Sequence, residues 1–90
     1  MHYIAIGTFS LDASTIKELA SRRHAFKYPP SFKNVLSFLD VQGGRAIVHF
    51  EAEKAEDILS YSADWPEVKF DIFPVVPSEE GWGVYLKRAN

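Results

Sequence analysis

Four short β-rich runs and two stretches of helical spacing follow one another in an order that few folds accommodate. Residues 3–9 are apolar and rich in strand formers, and predict a first strand. Leu11-Asp12-Ala13-Ser14 carries helix-start signals. Thr15-Ile16-Lys17-Glu18 fits a capping box, with Asp12 as a rival cap. Ile16, Leu19, Ala20 and Arg23 share one helical stripe, with Phe26 near its end. Tyr28-Pro29-Pro30 stops this helix, because Pro29 disfavours helical geometry at Tyr28 and neither proline has an N–H to donate. Residues 34–41 predict a second strand, and Gln42-Gly43-Gly44 supplies the positive φ angles of a tight hairpin. Residues 45–51 return as a third strand, alternating at Ala46, Val48 and Phe50. Residues 53–62 predict a second helix, with Ala55, Ile58, Leu59 and Ser62 on one stripe, ended by Asp64-Trp65-Pro66. Residues 68–76 predict a fourth strand, closed by Pro77. Ser78-Glu79-Glu80 fits the start of a short last helix carrying Trp82, Tyr85, Leu86 and Ala89. Gly81 and Gly83 weaken that helix, and an extended arm through Trp82, Val84 and Leu86 is the alternative.

The order β-α-β-β-α-β is the ferredoxin-like, split-βαβ plan: an α+β fold in which two helices cover one face of a four-stranded antiparallel sheet. The domain takes residues 1–77, and residues 78–90 form a C-terminal tail. Strand alternation sorts the residues by face. One set, Ile4, Ile6, Val35, Leu39, Val41, Ala46, Val48, Phe50, Val68, Phe70 and Ile72, is expected under the helices. The opposite set holds Tyr3, Ala5, Gly7, Phe9, Leu36, Phe38, Ile47, His49, Phe73 and Val75, with Arg45, Glu51, Lys69 and Asp71 interleaved. A face open to water is mainly polar, and this one is not. At ~25 cal/mol per Å² its wet rings and aliphatic chains would forfeit several kcal/mol, comparable to the whole stability of a small domain. The second face is therefore expected to be covered, most simply by the same face of another subunit in a homodimer. A tail folding back with Trp82 and Tyr85 is the other available cover.

Composition supports that expectation. The chain has 90 residues, enough for one domain and too few for separate catalytic and regulatory ones. It holds seven Phe, four Tyr and two Trp but no Cys, so neither disulfides nor thiolate metal sites can reinforce a small core. The net charge of -2 argues against nucleic acid as a partner. Lys17, Arg22, Arg23 and Lys27 form a basic patch, explained by the negative end of the first helix dipole. The start lacks the basic run and apolar core of a signal peptide, and no apolar stretch is long enough to cross a bilayer. A cytoplasmic protein without membrane contact is the expectation.

Three stretches carry a resemblance: the hairpin Gly43-Gly44-Arg45-Ala46-Ile47-Val48-His49-Phe50-Glu51-Ala52, Trp65 at the end of a helix, and the strand Val68-Lys69-Phe70-Asp71-Ile72-Phe73-Pro74-Val75-Val76-Pro77. With these the chain resembles the dimeric α/β-barrel superfamily, and within it a group of small single-domain proteins of unknown function. The resemblance implies two ferredoxin-like sheets paired face to face. The superfamily includes cofactor-independent oxygenases of polycyclic phenols, haem-degrading oxygenases, lactone isomerases and ligand-sensing domains, so fold does not choose among them. The haem-degrading branch is marked by an Asn on the first strand, a Trp near the end of the second helix and a following haem-ligating His. Trp65 matches the Trp, but the first strand has no Asn and no His follows His49.

Among titratable groups, His49 stands out, on the third strand beside aromatic positions. An imidazole there can act as proton acceptor or hydrogen-bond a phenolic ligand, or be tied up in a dimer interface. Asp71 and Arg45 share its parity and either orient a substrate or pair as ions. His24 belongs to a solvated helix end and His2 reads as a terminal residue. The three His have no paired spacing, so no metal site and no cofactor are expected. Gly43-Gly44 is a turn and not a phosphate loop, and nucleophile-elbow and Cys chemistry are absent. The pattern points to a homodimer binding a small apolar or aromatic molecule between sheet and helices, with Tyr3, Phe9, Phe38, Arg45, Ile47, Trp65 and Phe73 as ligand contacts. The enzymic alternative is a cofactor-independent monooxygenase or isomerase with His49 as proton acceptor and Asp71 as its catalytic companion.

Overall fold

A computed structural model describes residues 1–89. The elements are β1 (His2–Thr8), α1 (Ala13–Ala25), β2 (Lys33–Leu39), β3 (Arg45–Glu51), α2 (Ala55–Ala63), β4 (Lys69–Val75) and α3 (Ser78–Ala89). The strands form one sheet in the order β2-β3-β1-β4, with every neighbouring pair antiparallel. The fold is the expected α+β, ferredoxin-like plan with a third helix. No helix among the described residues is long and apolar enough to cross a membrane.

The hairpin between β2 and β3 forms as its glycines require, with Gly43 at φ 93° and Gly44 at φ 86°. Asp40 organises it: its carboxylate accepts the Gln42 amide at 3.0 Å and pairs with the Arg45 guanidinium at 3.0 Å. These bonds hold the Asp40 carboxyl below its usual pKa, the Gln42 amide contributing most. The turn therefore begins at Asp40, β2 ends at Leu39, and Val41 is fully exposed rather than under the helices.

The first helix is capped by Asp12. Its carboxylate accepts the Thr15 amide at 2.9 Å, and the Ser10, Ser14 and Thr15 hydroxyls also donate to it. Thr15 lies inside the helix as a donor, so the Thr15–Glu18 capping box does not form. The four bonds depress the Asp12 pKa strongly, the Ser10 hydroxyl most of all.

Register decides which face of β1 is covered. Tyr3, Ala5 and Gly7 pair with Phe50, Val48 and Ala46 on β3, while Ala5 and Gly7 also pair with Ile72 and Phe70 on β4. Directly paired residues share a face, so Tyr3, Ala5 and Gly7 lie on the helix side. Ile4 and Ile6 lie on the open side, the reverse of the parity assignment for this strand. The reason is space. A Cβ on Gly7 would stand 2.7 Å from Val68 Cγ1 and 3.1 Å from Phe70 Cε1, so the middle of β1 accepts only small residues beneath the helices.

The core is aromatic. Phe50 is completely buried, and Phe32 lies flat on it with ring centroids 4.2 Å apart. Tyr61 meets both rings edge-on. In α2 the inward stripe is Ile58 and Tyr61, continued by Trp65, whereas Leu59 is exposed. Beyond β4 the tail is a helix rather than an arm. None of its residues is buried, and Trp82 and Tyr85 contact each other at 5.7 Å while remaining exposed.

Candidate functional site

Between the helix-side face of the sheet and the helices lies a cavity of about 460 Å³. Its wall is largely aromatic: Phe9 just after β1, Phe26 and Tyr28 after α1, Tyr61 on α2, Trp65 after it, and Phe70 on β4. Leu19, Val48 and Val68 add aliphatic surface. The lining residues with polar side-chain groups are Arg23, Ser37, Tyr28, Tyr61 and Trp65, and among the described residues no Asp or Glu lines the cavity. Such a lining is typical of a small-molecule pocket.

Local structure explains how these side chains converge. The prolines stop α1 short of Tyr28, and Phe26 turns back so that its ring meets Tyr28 at 5.2 Å and Trp65 at 5.1 Å, both edge-on. Trp65 follows the last turn of α2, its amide donating to the Ser62 carbonyl at 3.2 Å and its own carbonyl accepting the Val68 amide at 3.0 Å. Trp65 is thereby both the plug of the helix–strand corner and part of the cavity wall. The Arg22 guanidinium lies over its ring at 5.2 Å, ion-pairs with Glu67 and donates to the Asp64 carbonyl at 3.4 Å. The Arg23 guanidinium lies 5.4 Å above the Tyr28 ring. Burial raises the Tyr61 pKa strongly; Tyr28 adds to the rise and Arg23 opposes it.

The sequence-derived site residues divide among three places. Phe9, Phe38 and Trp65 border the cavity. Tyr3 is partly buried and packs against the core, stacked on Phe50 at 5.6 Å. Arg45, Ile47, His49, Asp71 and Phe73 lie on the open face, as the pairs Thr8–Arg45, Ile6–Ile47, Ile4–His49, Ile6–Asp71 and Ile4–Phe73 establish. Phe38 pairs with Ile47 on that face while its residue also borders the cavity rim. His49 is thus across the sheet from the cavity. Asp71 is not its neighbour: β1 runs between them, a separation of about 10 Å or more at ordinary strand spacing. Arg45 is committed to Asp40.

His49 has a different companion. His2 Nδ1 lies 3.1 Å from His49 Nε2, and His2 Nε2 lies 3.8 Å from the Glu51 carboxylate. His2 is therefore part of an open-face cluster and not merely a terminal residue. The Asn34 amide donates to Glu51 and holds its carboxyl below the usual range, His2 adding a smaller pull. Among the described residues no group of three or more side chains is placed to hold a metal ion.

Sequence reasoning missed Arg23, Phe26, Tyr28 and Tyr61 as cavity residues. A signal existed for Tyr61, three positions after Ile58 and four before Trp65, the spacing of one helix face.

The chain matches the family model described as a domain of unknown function, DUF3303, over residues 1–88. No curated protein and no solved structure matches it. With the match spanning nearly its whole length, the chain belongs to the DUF3303 family.

Proposed function

We propose that this protein is a homodimer that binds a small apolar or aromatic molecule in the cavity between sheet and helices. The observation that carries this reading is the cavity itself: about 460 Å³ walled by aromatic side chains. A core of this chain's size has no structural need for such a void, since each unfilled site costs stability. His49, the proton acceptor of the enzymic alternative, faces away from this space, which favours binding over catalysis there.

The homodimer is supported by the open face. Leu36 and Phe38 are 57% and 59% exposed there, and Ile4, Ile6, Ile47 and Phe73 are only half-buried. The tail does not provide the cover, since no α3 residue is buried. Two-fold pairing of open faces removes this apolar surface from water, in keeping with the resemblance to dimeric α/β barrels.

Melting curves taken with a series of one- to three-ring arenes test the binding reading. A ligand that binds only the folded state raises the melting temperature with its concentration. We expect at least one arene to do so and a cavity-filling Ala46→Phe variant to lose the response. If no compound in the series shifts the melting temperature, the reading is wrong.

A further inference from the structure

We infer that the ligand of the cavity carries an anionic group beside its aromatic body, and that Arg23 is the residue that reads it. The inference rests on the cavity-binding reading and specifies its ligand class as an aromatic carboxylate.

Three observations carry it. First, Arg23 is the one cation lining the cavity among the described residues, and no acidic side chain lines it. Second, Arg23 is unpaired within the described residues. Its neighbour Arg22 is taken up by Glu67 and the Asp64 carbonyl, and Arg45 by Asp40, whereas no carboxylate pairs with Arg23. Third, Arg23, an exposed residue of the last turn of α1, rests on a ring and not on an acid. Its guanidinium lies over the face of Tyr28 at 5.4 Å, and its charge opposes the rise in the Tyr61 pKa. Stacking on a ring leaves the in-plane N–H donors of a guanidinium free.

The geometry fits a bidentate anion. The planar fork of Arg matches a carboxylate, and a stacked Arg loses little freedom on binding. The Tyr61 hydroxyl makes no hydrogen bond within the described residues and has a raised pKa, so it remains a donor to an acceptor oxygen nearby. The rings of Phe26, Trp65 and Phe70 then meet the arene on the apolar side.

The test compares 2-naphthoate with 2-naphthamide, a neutral molecule of nearly the same shape, by calorimetric titration of the wild type and of Arg23→Gln and Arg23→Lys variants. A charge-assisted bidentate contact predicts about tenfold or greater preference for the acid in the wild type. Arg23→Gln is expected to abolish the preference, and Arg23→Lys to retain part of it. Equal affinity of wild type for the two compounds, or a preference that survives Arg23→Gln, overturns the inference while leaving the cavity reading intact. If neither compound binds while other arenes of the series raise the melting temperature, the inference falls and the cavity reading stands.

Discussion

Phe32 lies on Phe50 with ring planes 4° from parallel and centroids 4.2 Å apart, joining the segment before β2 to the centre of β3. Both rings are buried, and Tyr61 closes over them from α2. Phe50→Ala is therefore expected to cost about 3–5 kcal/mol in urea unfolding, with Phe32→Ala also costly. The double variant should cost less than the sum, since either single change already breaks the stack. Strict additivity would show that the two rings do not support each other.

Gly7 provides a test of the β1 register. An alanine methyl there meets Val68 Cγ1 at 2.7 Å, and overpacking of this kind costs about 1–3 kcal/mol. Gly7→Ala is expected to lower stability in that range, and a second change, Val68→Ala, to restore part of the loss. A neutral Gly7→Ala would mean that Gly7 faces the open side and that the strand is turned over.

The cap on α1 sets part of the acid limb of stability. The Asp12 pKa is depressed on folding, so its contribution is present in full above the unfolded value of about 3.9 and is lost as pH falls toward the lower folded value. Asp40 and Glu51 act in the same direction. Asp12→Asn keeps a good cap but removes the titration. Its melting temperature is expected to fall slightly at pH 7 and to decline less steeply than the wild type's between pH 4 and pH 2, measured by circular dichroism. Superimposable acid limbs would remove Asp12 from the account.

The proposed homodimer pairs the open faces of two sheets. Phe38→Asp and Ile47→Asp place charge on two paired residues of that face. In sedimentation experiments at micromolar concentration the wild type is expected at twice the chain mass and the double variant at the chain mass, with its far-ultraviolet circular dichroism unchanged. A wild type that sediments as a monomer contradicts the dimer.

Element order and the Gly43-Gly44 turn were legible because their signals are local: periodicity, prolines and positive φ. The face of β1 was not, because Tyr3, Ala5 and Gly7 alternate with Ile4 and Ile6, and both sets are apolar. What selects between them is the bulk of Val48, Phe50, Val68 and Phe70, which lie far along the chain. The same holds for His2 and His49, 47 positions apart and joined only by strand register. Phe9 and Trp65, expected from the sequence beside a ligand, border the cavity. Arg23 was visible only as one cation of a basic helix end, because its lack of an acidic partner is a property of packing and not of spacing.

The chain's two tryptophans make the cavity claim directly measurable, since Trp65 lines the cavity and Trp82 stands exposed on α3. In a nitrogen-15 NMR titration with 2-naphthoate, the account predicts that the Trp65 indole N–H signal shifts saturably while the Trp82 signal stays in place. Signals that both stay still, or that move together without saturation, would contradict it.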